Sequence, residues 1–473
     1  LVSGGRSRLW VSGLLGSSKT LLASALVRET GGTWVVVAPN ASDAEHAHDD
    51  LVTYLGPERV QFYGEWETLP YERRSPLPSI TETRLTTLSR LARGEELIIV
   101  TTPKAVMQTT MPQHVLEATT QTVRKGEDLD LEGVTRSLVD LGYRRVRVVE
   151  DTGEFSVRGG IVDVLPFGYD DPIRIELFGD TVESIRSFDV YTQRSTGQLT
   201  EATILPRREV VLQEEGAGEL AERLRKIHPA DSTDRDHLLA GLDTRFYFEG
   251  VEQYLPAIHP DAETLADYLP DDAGVFLIRE EEIQDRAEQL SLEAATIYSE
   301  RRSELPLCEP DALLVPFDRV LRRMTGRALV AAGLVQSGRI EELERLTAET
   351  HLQESFASNL ELLRGRLQQL SRDNRVIVMC DNAGQATRLR ELLEDAAEGI
   401  EMEVGSLEKG FSLPEARLVV YTDHDIFERY RRRRRRRMRG GAPIASFEAL
   451  SQGDYVVHVS HGIGRYVGIE RVE

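Results

Sequence analysis

The sequence is poor in cysteine and has no long apolar run. Two cysteines, Cys308 and Cys380, are too few for a disulfide framework, which fits a reducing cytoplasm. No apolar stretch reaches the ~20 residues that a membrane-spanning helix requires. The chain opens LVSGGRSRLW, without a Met or a signal-peptide pattern, and stops in a strand-like pattern at Glu473. We therefore expect a cytoplasmic fragment, cut at both ends, with no membrane partner.

Positive charge is also scarce. Lys and Arg number 57 against 79 Asp and Glu, so the net charge is −22, which argues against a bulk attraction to nucleic acid. The exception is local and consists of Arg429, the unbroken run of arginines at residues 431–437, and Arg439. Adjacent arginines repel one another and resist burial, so we predict an extended linker over residues 429–447. Contact with DNA or an acidic neighbour and a purely solvated tether both stay open as its role.

The length indicates several domains. At 473 residues the chain is too long for one hydrophobic core, and we expect three or four domains. Residues 1–112 alternate apolar strands with amphipathic helices, which is typical of a parallel sheet in an α/β domain. This pattern is interrupted at about residue 113, resumes near 207, and is followed by a second α/β unit at 327–428. The sequence therefore predicts an α/β multidomain protein.

Residues 9–20 read LWVSGLLGSSKT and resemble a phosphate-binding loop between a strand and a helix. The consensus is G-x-x-x-x-G-K-[ST], and Gly13, Lys19 and Thr20 fit it. Ser18 stands where a second glycine normally lets the backbone N–H groups surround a phosphate. The later apolar strand LIIV ends in TTP, with no acid to hold a metal. We predict a degenerate loop that does not turn over ATP, and the alternative is a P-loop ATPase that uses Lys19 and Thr20.

The stretch GEFSVRGGIVDVLPFGYDDPIRIELF at residues 153–178 has the pattern of paired β-strands. A glycine pair between β-branched runs predicts a tight hairpin or a bulge. In the next strand, alternation at period two places Arg174 and Phe178 on one face and three aliphatic side chains on the other. With Arg158 nearby, this face is a candidate docking surface, because arginine and aromatic residues anchor protein interfaces. The residue types alone are equally compatible with an ordinary solvated face.

Residues 146–194 resemble the small domain with which the excision-repair protein UvrB and the transcription-repair coupling factors bind UvrA. The motifs that carry the resemblance are GEF at 153–155, RGG at 158–160, DVLP at 163–166, RIELF at 174–178 and SFD at 187–189. In both families this domain interrupts a helicase-like domain. The resemblance therefore implies an α+β insert at 113–206 between domain 1A at 1–112 and domain 1B at 207–326. It further implies that Arg158, Arg174 and Phe178 bind UvrA.

The last residues distinguish the two families. The segment LSQGDYVVHVSHGIGRYVGI at 450–469 alternates like the opening strands of a small β-barrel. It resembles the polymerase-binding domain of the coupling factors, which is itself similar to the CarD module. UvrB would also carry an intact phosphate loop, an aromatic-rich DNA-clamping hairpin and a DEAD-type acidic motif, and this sequence does not. We therefore favour the coupling factors.

The resemblance implies a domain order. A degenerate P-loop, RecA-like (UvrB-like) domain is split by the UvrA-binding insert. A second small α/β domain at 327–428, the linker at 429–447 and the truncated start of a CarD-like β-barrel at 448–473 follow.

The implied function of this family is to recognise RNA polymerase stalled at a DNA lesion, release it by ATP-driven translocation and recruit UvrA. The motor that binds double-stranded DNA, with its ATP and Mg, would lie beyond Glu473. This part is then expected to hold no cofactor, catalytic residue or metal, and to contact the RNA polymerase β subunit through 448–473. The competing interpretation is a UvrB-like or helicase-type ATPase of excision repair.

Two His-containing motifs invite a metal interpretation. Asp423-His424-Asp425 follows the apolar strand LVVY, and because this unit has no phosphate loop we expect a solvated strand end there. His458 and His461 precede Gly462 without a third ligand nearby, so we expect a turn.

Overall fold

The computed structural model describes residues 7–211, 222–224, 226–227, 249–303, 307–334, 336, 338–340, 343–356, 359–427, 455–458 and 462–465. Its β-strands are β1 (Ser7–Ser12), β2 (Trp34–Val37), β3 (Val60–Tyr63), β4 (Ile98–Thr101), β5 (Gln121–Arg124), β6 (Arg144–Arg145), β7 (Glu154–Arg158), β8 (Ile161–Val164), β9 (Ile173–Phe178), β10 (Thr181–Phe188), β11 (Ser195–Leu199), β12 (Glu201–Ile204), β13 (Gly274–Ile278), β14 (Ala328–Gly333), β15 (Glu344–Thr347), β16 (His351–Leu352), β17 (Arg375–Cys380), β18 (Ile400–Val404), β19 (Phe411–Leu413), β20 (Leu418–Thr422), β21 (Tyr455–His458) and β22 (Gly462–Arg465).

The α-helices are α1 (Ser18–Thr30), α2 (Ala41–Leu55), α3 (Pro78–Ala92), α4 (Pro103–Met107), α5 (Gln113–Thr119), α6 (Leu131–Asp140), α7 (Leu255–Ile258), α8 (Glu280–Arg301), α9 (Pro310–Leu313), α10 (Phe317–Met324), α11 (Leu360–Leu370), α12 (Ala383–Leu393) and α13 (Asp423–Phe427). Short 3₁₀ turns lie at Val251–Tyr254, Leu265–Tyr268, Glu394–Ala397 and Pro414–Ala416. Among the described residues, no helix combines the length and the apolar character needed to cross a membrane.

The largest sheet has seven strands in the order β15-β1-β14-β13-β2-β4-β3, and all its pairs are parallel. Both faces are covered by helices, as a fully parallel sheet requires. Along β2, Val35 and Val37 pack into one core while Trp34 and Val36 pack into the other, on the α1 and α2 side. The predicted multidomain α/β architecture with a parallel sheet is confirmed.

The inserted unit is a smaller α+β body. Its six-stranded sheet has the order β11-β10-β9-β8-β7-β6, and β5 pairs with β12 beside it. We expected the insert to begin at residue 113, but α5 packs Val115 and Leu116 into the main core. The insert proper therefore runs from Gln121 to Ile204. An amphipathic pattern shows that a helix covers a core but not which core it covers, and this explains the misplaced boundary.

The structure also places the next boundary differently. Residues 327–428 were expected to form one unit, but β14 lies between β1 and β13, and β15 pairs with β1 in the main sheet. Because β13 also belongs to that sheet, the sequences before and after the insert build one sheet, as expected of one domain that the insert interrupts. The second α/β unit begins at β16, with strand order β16-β19-β20-β17-β18 and the helices α11 and α12. An apolar run predicts a buried strand but not its sheet.

The last described residues form an antiparallel pair, in which β21 and β22 run from Tyr455↔Arg465 to His458↔Gly462. This pairing agrees with the β pattern predicted there. The arginine-rich residues 429–447 and His461 lie outside the described residues.

Candidate functional site

The glycine pair at the start of the candidate surface forms a hairpin, which is one of the two structures that the sequence predicts. Strands β7 and β8 pair antiparallel, and Arg158↔Ile161 closes the turn made by Gly159 and Gly160. Strand β9 lies beside β8 with Asp163 opposite Arg174. The three strands therefore bring side chains that are distant in sequence into one row across the sheet.

Asp163 is the centre of this row. Its carboxylate is only 3% exposed, and it accepts hydrogen bonds from both arginines: Arg158 Nη2 donates to Oδ2 at 2.6 Å, and Arg174 donates from Nε to Oδ1 at 2.6 Å and from Nη2 to Oδ2 at 2.9 Å. A buried carboxylate held by two guanidinium groups fixes both of them. Sequence reasoning did not assign a role to Asp163. The sequence signal that could have identified it is its position between Val162 and Val164. A charged residue between two core residues of a strand lies on the other face of the sheet.

The two arginines differ in how much of each side chain stays exposed for contact with a partner protein. Arg174 is 15% exposed, lies 4.4 Å over the ring of Phe188, and donates from Nη2 to Gln193 Oε1 at 3.1 Å as well. Its hydrogen bonds to Asp163 raise the pKa of the guanidinium. Arg158 makes one contact to Asp163 and remains 53% exposed. The resemblance implies that both arginines bind a partner protein, and the structure shows that Arg174 is engaged within its own chain.

The rest of this face is also charged. Glu176 pairs with Arg186 and accepts a hydrogen bond from Ser184 Oγ at 2.8 Å. Arg186 was not among the predicted residues, although β10 places it directly opposite Arg174. Alternation along β10 could have identified it, but the bulge between Val182 and Ser184 shifts the register by one residue.

Phe178 ends β9 and is 80% exposed, the most exposed of the large apolar side chains in the described residues. Ile173 and Ile175 on the opposite face are fully buried in the insert core, together with α6 residues such as Leu138. The predicted division of the two faces is therefore confirmed. An exposed aromatic ring at the end of a strand whose other face is fixed in a core is suited to contact a partner.

The residues of the predicted phosphate loop lie together at the start of α1. A Cβ on Gly13, whose φ is +80°, would overlap the carbonyl oxygen of Ala348. Ser18 Oγ donates to Leu15 O at 2.6 Å, and burial lowers the pKa of Lys19. Thr20 Oγ1 donates to a carboxylate oxygen of Asp50 at 2.7 Å. The hydroxyl that would bind a magnesium ion in an ATPase is therefore hydrogen-bonded to an acid of the chain itself.

Two N–H groups of the loop are also taken up by the chain. The Leu15 N–H donates to Thr350 Oγ1 at 2.9 Å, and the Ser17 N–H donates to Lys409 O at 3.1 Å. Both acceptors come from segments more than 300 residues away in sequence. A phosphate would need these donors, because N–H groups facing inward are what such a loop offers an anion.

Two groups of side chains bring three metal-ligating atoms within 4.8 Å of one another in the described residues: Asp43, His46 and Glu408, and Asp381, Asp423 and His424. In the first group Asp43 pairs with Arg279, a cation that competes with a metal.

In the second group His424 Nε2 lies 3.3 Å from Asp381 and 3.7 Å from Asp423, and the Asp423 side chain is only 8% exposed. Asp425 accepts hydrogen bonds from Gly410 and Thr422. The expectation of a solvated strand end was therefore wrong, because neighbouring strands and loops enclose these side chains.

Two family models match the chain. The UvrB interaction domain matches residues 122–209, which cover all of the insert but its first residue and include its exposed face. The CarD-like/TRCF RID domain matches residues 450–473, which contain β21 and β22.

Curated relatives match along almost the whole chain. The transcription-repair-coupling factor of Bacillus subtilis (strain 168) is 28% identical over 494 residues, covering 98% of this chain and 42% of the relative. That of Staphylococcus aureus (strain MRSA252) is 25% identical over 500 residues, covering 99% of this chain and 43% of the relative. The chain therefore spans about two fifths of the length of the curated relatives it matches.

Proposed function

We infer that the chain belongs to the transcription-repair-coupling factor family, and we propose that it is the part that recruits UvrA. Within this proposal the whole protein recognises RNA polymerase stalled at a DNA lesion and releases it by ATP-dependent translocation on double-stranded DNA. The motor, with its ATP and Mg, lies outside these residues. The observation that carries the proposal is the exposed Phe178 beside the Arg158–Asp163–Arg174 row, inside the region that matches the UvrB interaction domain.

The three predicted binding residues have different roles in this proposal. Phe178 supplies apolar contact area, because its ring is already exposed and little ordering is needed to bury it. Arg158 keeps donors available beyond its bond to Asp163 and pairs with an acidic group of UvrA. Arg174 is a positioning residue, since its guanidinium is engaged by Asp163 and Gln193 and holds the row in place.

A titration of UvrA against the chain tests this surface. We expect Phe178→Ala to weaken binding at least about tenfold, because truncating an interface anchor costs on the order of 2 kcal/mol. Arg158→Ala should weaken binding by a similar factor, and the effect should shrink at high salt. The matched control is Val139→Ala, which removes another exposed apolar side chain of the insert. Val139 lies on α6, the helix that covers the opposite face of the sheet.

The UvrA titration can reject this surface in two ways. Wild-type affinity in both Phe178→Ala and Arg158→Ala would reject this surface as the UvrA site. An equal loss in Val139→Ala would point to a general disturbance of the insert and would also reject it. Melting temperatures of Phe178→Ala and Val139→Ala should match the wild type, because neither side chain belongs to the insert core. Arg158→Ala removes one donor to the buried Asp163, so its affinity is compared at a temperature where that variant is fully folded.

A second contact is proposed at the end of the chain. Residues 450–473 match the CarD-like/TRCF RID domain, and β21 and β22 provide an antiparallel pair there. We propose that these strands begin a CarD-like β-barrel that contacts the RNA polymerase β subunit. Binding of the chain to that subunit should be lost when residues 450–473 are deleted, while UvrA binding persists.

We also propose that residues 13–20 are a degenerate phosphate loop of a RecA-like domain and bind no nucleotide. The support is Ser18 at the glycine position and the engagement of the Leu15 and Ser17 N–H groups by Thr350 and Lys409. The alternative function, a P-loop ATPase, would require those two N–H groups and the Thr20 hydroxyl to be released from their present partners.

A further inference from the structure

Residues 405–410 leave the second α/β unit between β18 and β19 and lie against the loop at residues 13–20 and helix α2. At one end, Thr53 Oγ1 donates to Ser406 O at 2.9 Å and accepts from the Ser406 N–H at 2.9 Å. At the other end, the Lys409 N–H donates to Ser17 Oγ at 3.2 Å while Lys409 O accepts from the Ser17 N–H at 3.1 Å. Both ends are therefore held by reciprocal pairs of hydrogen bonds.

Between these ends lies a buried acid. The Glu408 N–H donates to Asp50 Oδ1 at 2.7 Å, and the other carboxylate oxygen accepts from Thr20 Oγ1. Asp50 is 1% exposed, so this carboxylate depends on donors from the two units rather than on water. Asp50 thus joins the first turn of α1 to the segment from the second unit.

The contacts to this segment are made mostly to its backbone. Ser406, Glu408 and Lys409 are held through their N–H or C=O groups, while the side chains of Glu408 and Lys409 play no part in these bonds. Phosphate loops likewise use backbone groups and a hydroxyl to bind their ligand. The same kind of loop chemistry here binds a peptide.

Close packing restricts this contact as strongly as the hydrogen bonds do. Gly16 has φ +55°, and a Cβ there would lie 2.8 Å from Gly410 O and 3.1 Å from Lys409 O. On the other side of the contact, a Cβ on Gly405 would lie 2.5 Å from Thr53 Cγ2. A backbone segment approaches its neighbour this closely only where it carries no side chain.

We propose that residues 405–410 are the ligand of the loop at residues 13–20, and that this contact fixes the second α/β unit to the split domain. The ligand is thus a segment of the same chain. The loop binds it through backbone groups, much as a phosphate loop binds an anion through its N–H groups. The contact joins the second α/β unit to the domain that carries the insert. It goes beyond the proposed function, which assigns no role to the second α/β unit.

Hydrogen exchange of the whole chain tests the contact at its own donors. In the wild type the amides of Ser406, Glu408 and Lys409 should be protected. In Gly16→Ala they should exchange at least about tenfold faster, because local opening then costs less free energy. Amides of β20, in the core of the second unit, should be unchanged. The matched control is Gly56→Ala, which introduces the same strain at φ +84° but has no atom within 4 Å of the added Cβ.

Thr53→Val provides a second variant if Gly16→Ala does not fold. It removes the hydroxyl that bonds Ser406 twice and keeps the shape of the side chain, so the Ser406 amide should lose its protection. Unchanged exchange in both variants, equal effects of Gly16→Ala and Gly56→Ala, or unprotected amides in the wild type would each overturn the contact.

Adding ATP with Mg²⁺ separates this inference from the proposal that the loop binds no nucleotide. We expect no change in exchange at residues 406–409. Faster exchange on adding ATP would mean that nucleotide displaces the segment. That result would reject the degenerate-loop proposal and leave the contact in the nucleotide-free chain standing.

Discussion

Arg84 and Glu209 form a bidentate ion pair that is completely buried, with Nε to Oε1 at 2.6 Å and Nη2 to Oε2 at 3.0 Å. Trp66 Nε1 and Thr110 Oγ1 also donate to this carboxylate, at 2.9 and 2.7 Å. Thr110 precedes the insert in sequence and Glu209 follows it. The pair therefore ties both connections of the insert to α3.

Replacing one partner of this pair should be severe. We expect Glu209→Gln to lower the free energy of unfolding by about 3–5 kcal/mol, because the Arg84 charge stays buried without its counterion. Urea unfolding measures the effect. Glu401→Gln breaks an exposed pair with Arg375 and serves as the control, with a loss below about 1 kcal/mol. A loss for Glu209→Gln no larger than that of the control would contradict this view.

Arg174→Ala and Phe178→Ala should separate folding from binding. Removing Arg174 leaves the buried Asp163 with Arg158 alone, so we expect a loss of about 1–3 kcal/mol in unfolding free energy. Phe178→Ala should change that free energy by less than about 0.5 kcal/mol, because the ring is exposed. Thermal unfolding of the insert in both variants is the measurement. Equal stability of the two variants would show that Asp163 does not depend on Arg174.

The chain should neither bind ATP tightly nor hydrolyse it. Ser18→Gly alone should not restore turnover, because Thr350 and Lys409 still occupy the Leu15 and Ser17 N–H groups. Calorimetric titration with ATP and Mg²⁺ measures binding in both proteins. Submicromolar affinity that is abolished by Lys19→Ala would refute the expectation.

Burial raises the pKa of Asp50 from its ordinary 3.8 to about 7, although Thr20, Ser17 and the Glu408 N–H donate to it. The charged side chains of Lys19 and Glu408 also face it. The folded chain therefore holds a proton that the unfolded chain releases, and stability falls as the pH rises from about 4 to about 7.

Asp50→Asn should remove this component, which amounts to up to about 4 kcal/mol across the interval. The measurement is the free energy of urea unfolding at several pH values for the wild type and the variant. Burial lowers the pKa of His259 to about 4 and gives a slope of opposite sign, but that slope is present in both proteins and cancels in the difference. Parallel curves for the two proteins would contradict the assignment to Asp50.

The arginine run gives a prediction from sequence alone. If residues 431–437 contact DNA, replacing them with Ser should flatten the salt dependence of DNA binding, because fewer counterions are released. DNA titrations at several salt concentrations compare the two proteins. Equally weak and shallow curves would mean that the run is a tether.

Local sequence patterns predicted strands and helices but not which of them pair or pack with one another. Alternation in β9 correctly predicted that Ile173 and Ile175 are buried and that Phe178 is exposed, because alternation along a strand is a property of the backbone. The residues of β14 were placed in the second α/β unit at 327–428, which was the wrong unit. The place of β14 between β1 and β13 depends on residues far away in the chain.

The sequence alone predicted strands in the insert, the serine at the glycine position of the loop before α1, and the motifs that resemble those of the coupling factors. The contacts of these groups follow from the tertiary structure. In the folded chain Arg174 bonds to Asp163, residues 405–410 lie against the loop at residues 13–20, and Glu209 is buried against Arg84. Hydrogen bonds and ion pairs between distant residues leave no periodic trace in a sequence, because each is selected by the packing of whole elements rather than by neighbours along the chain.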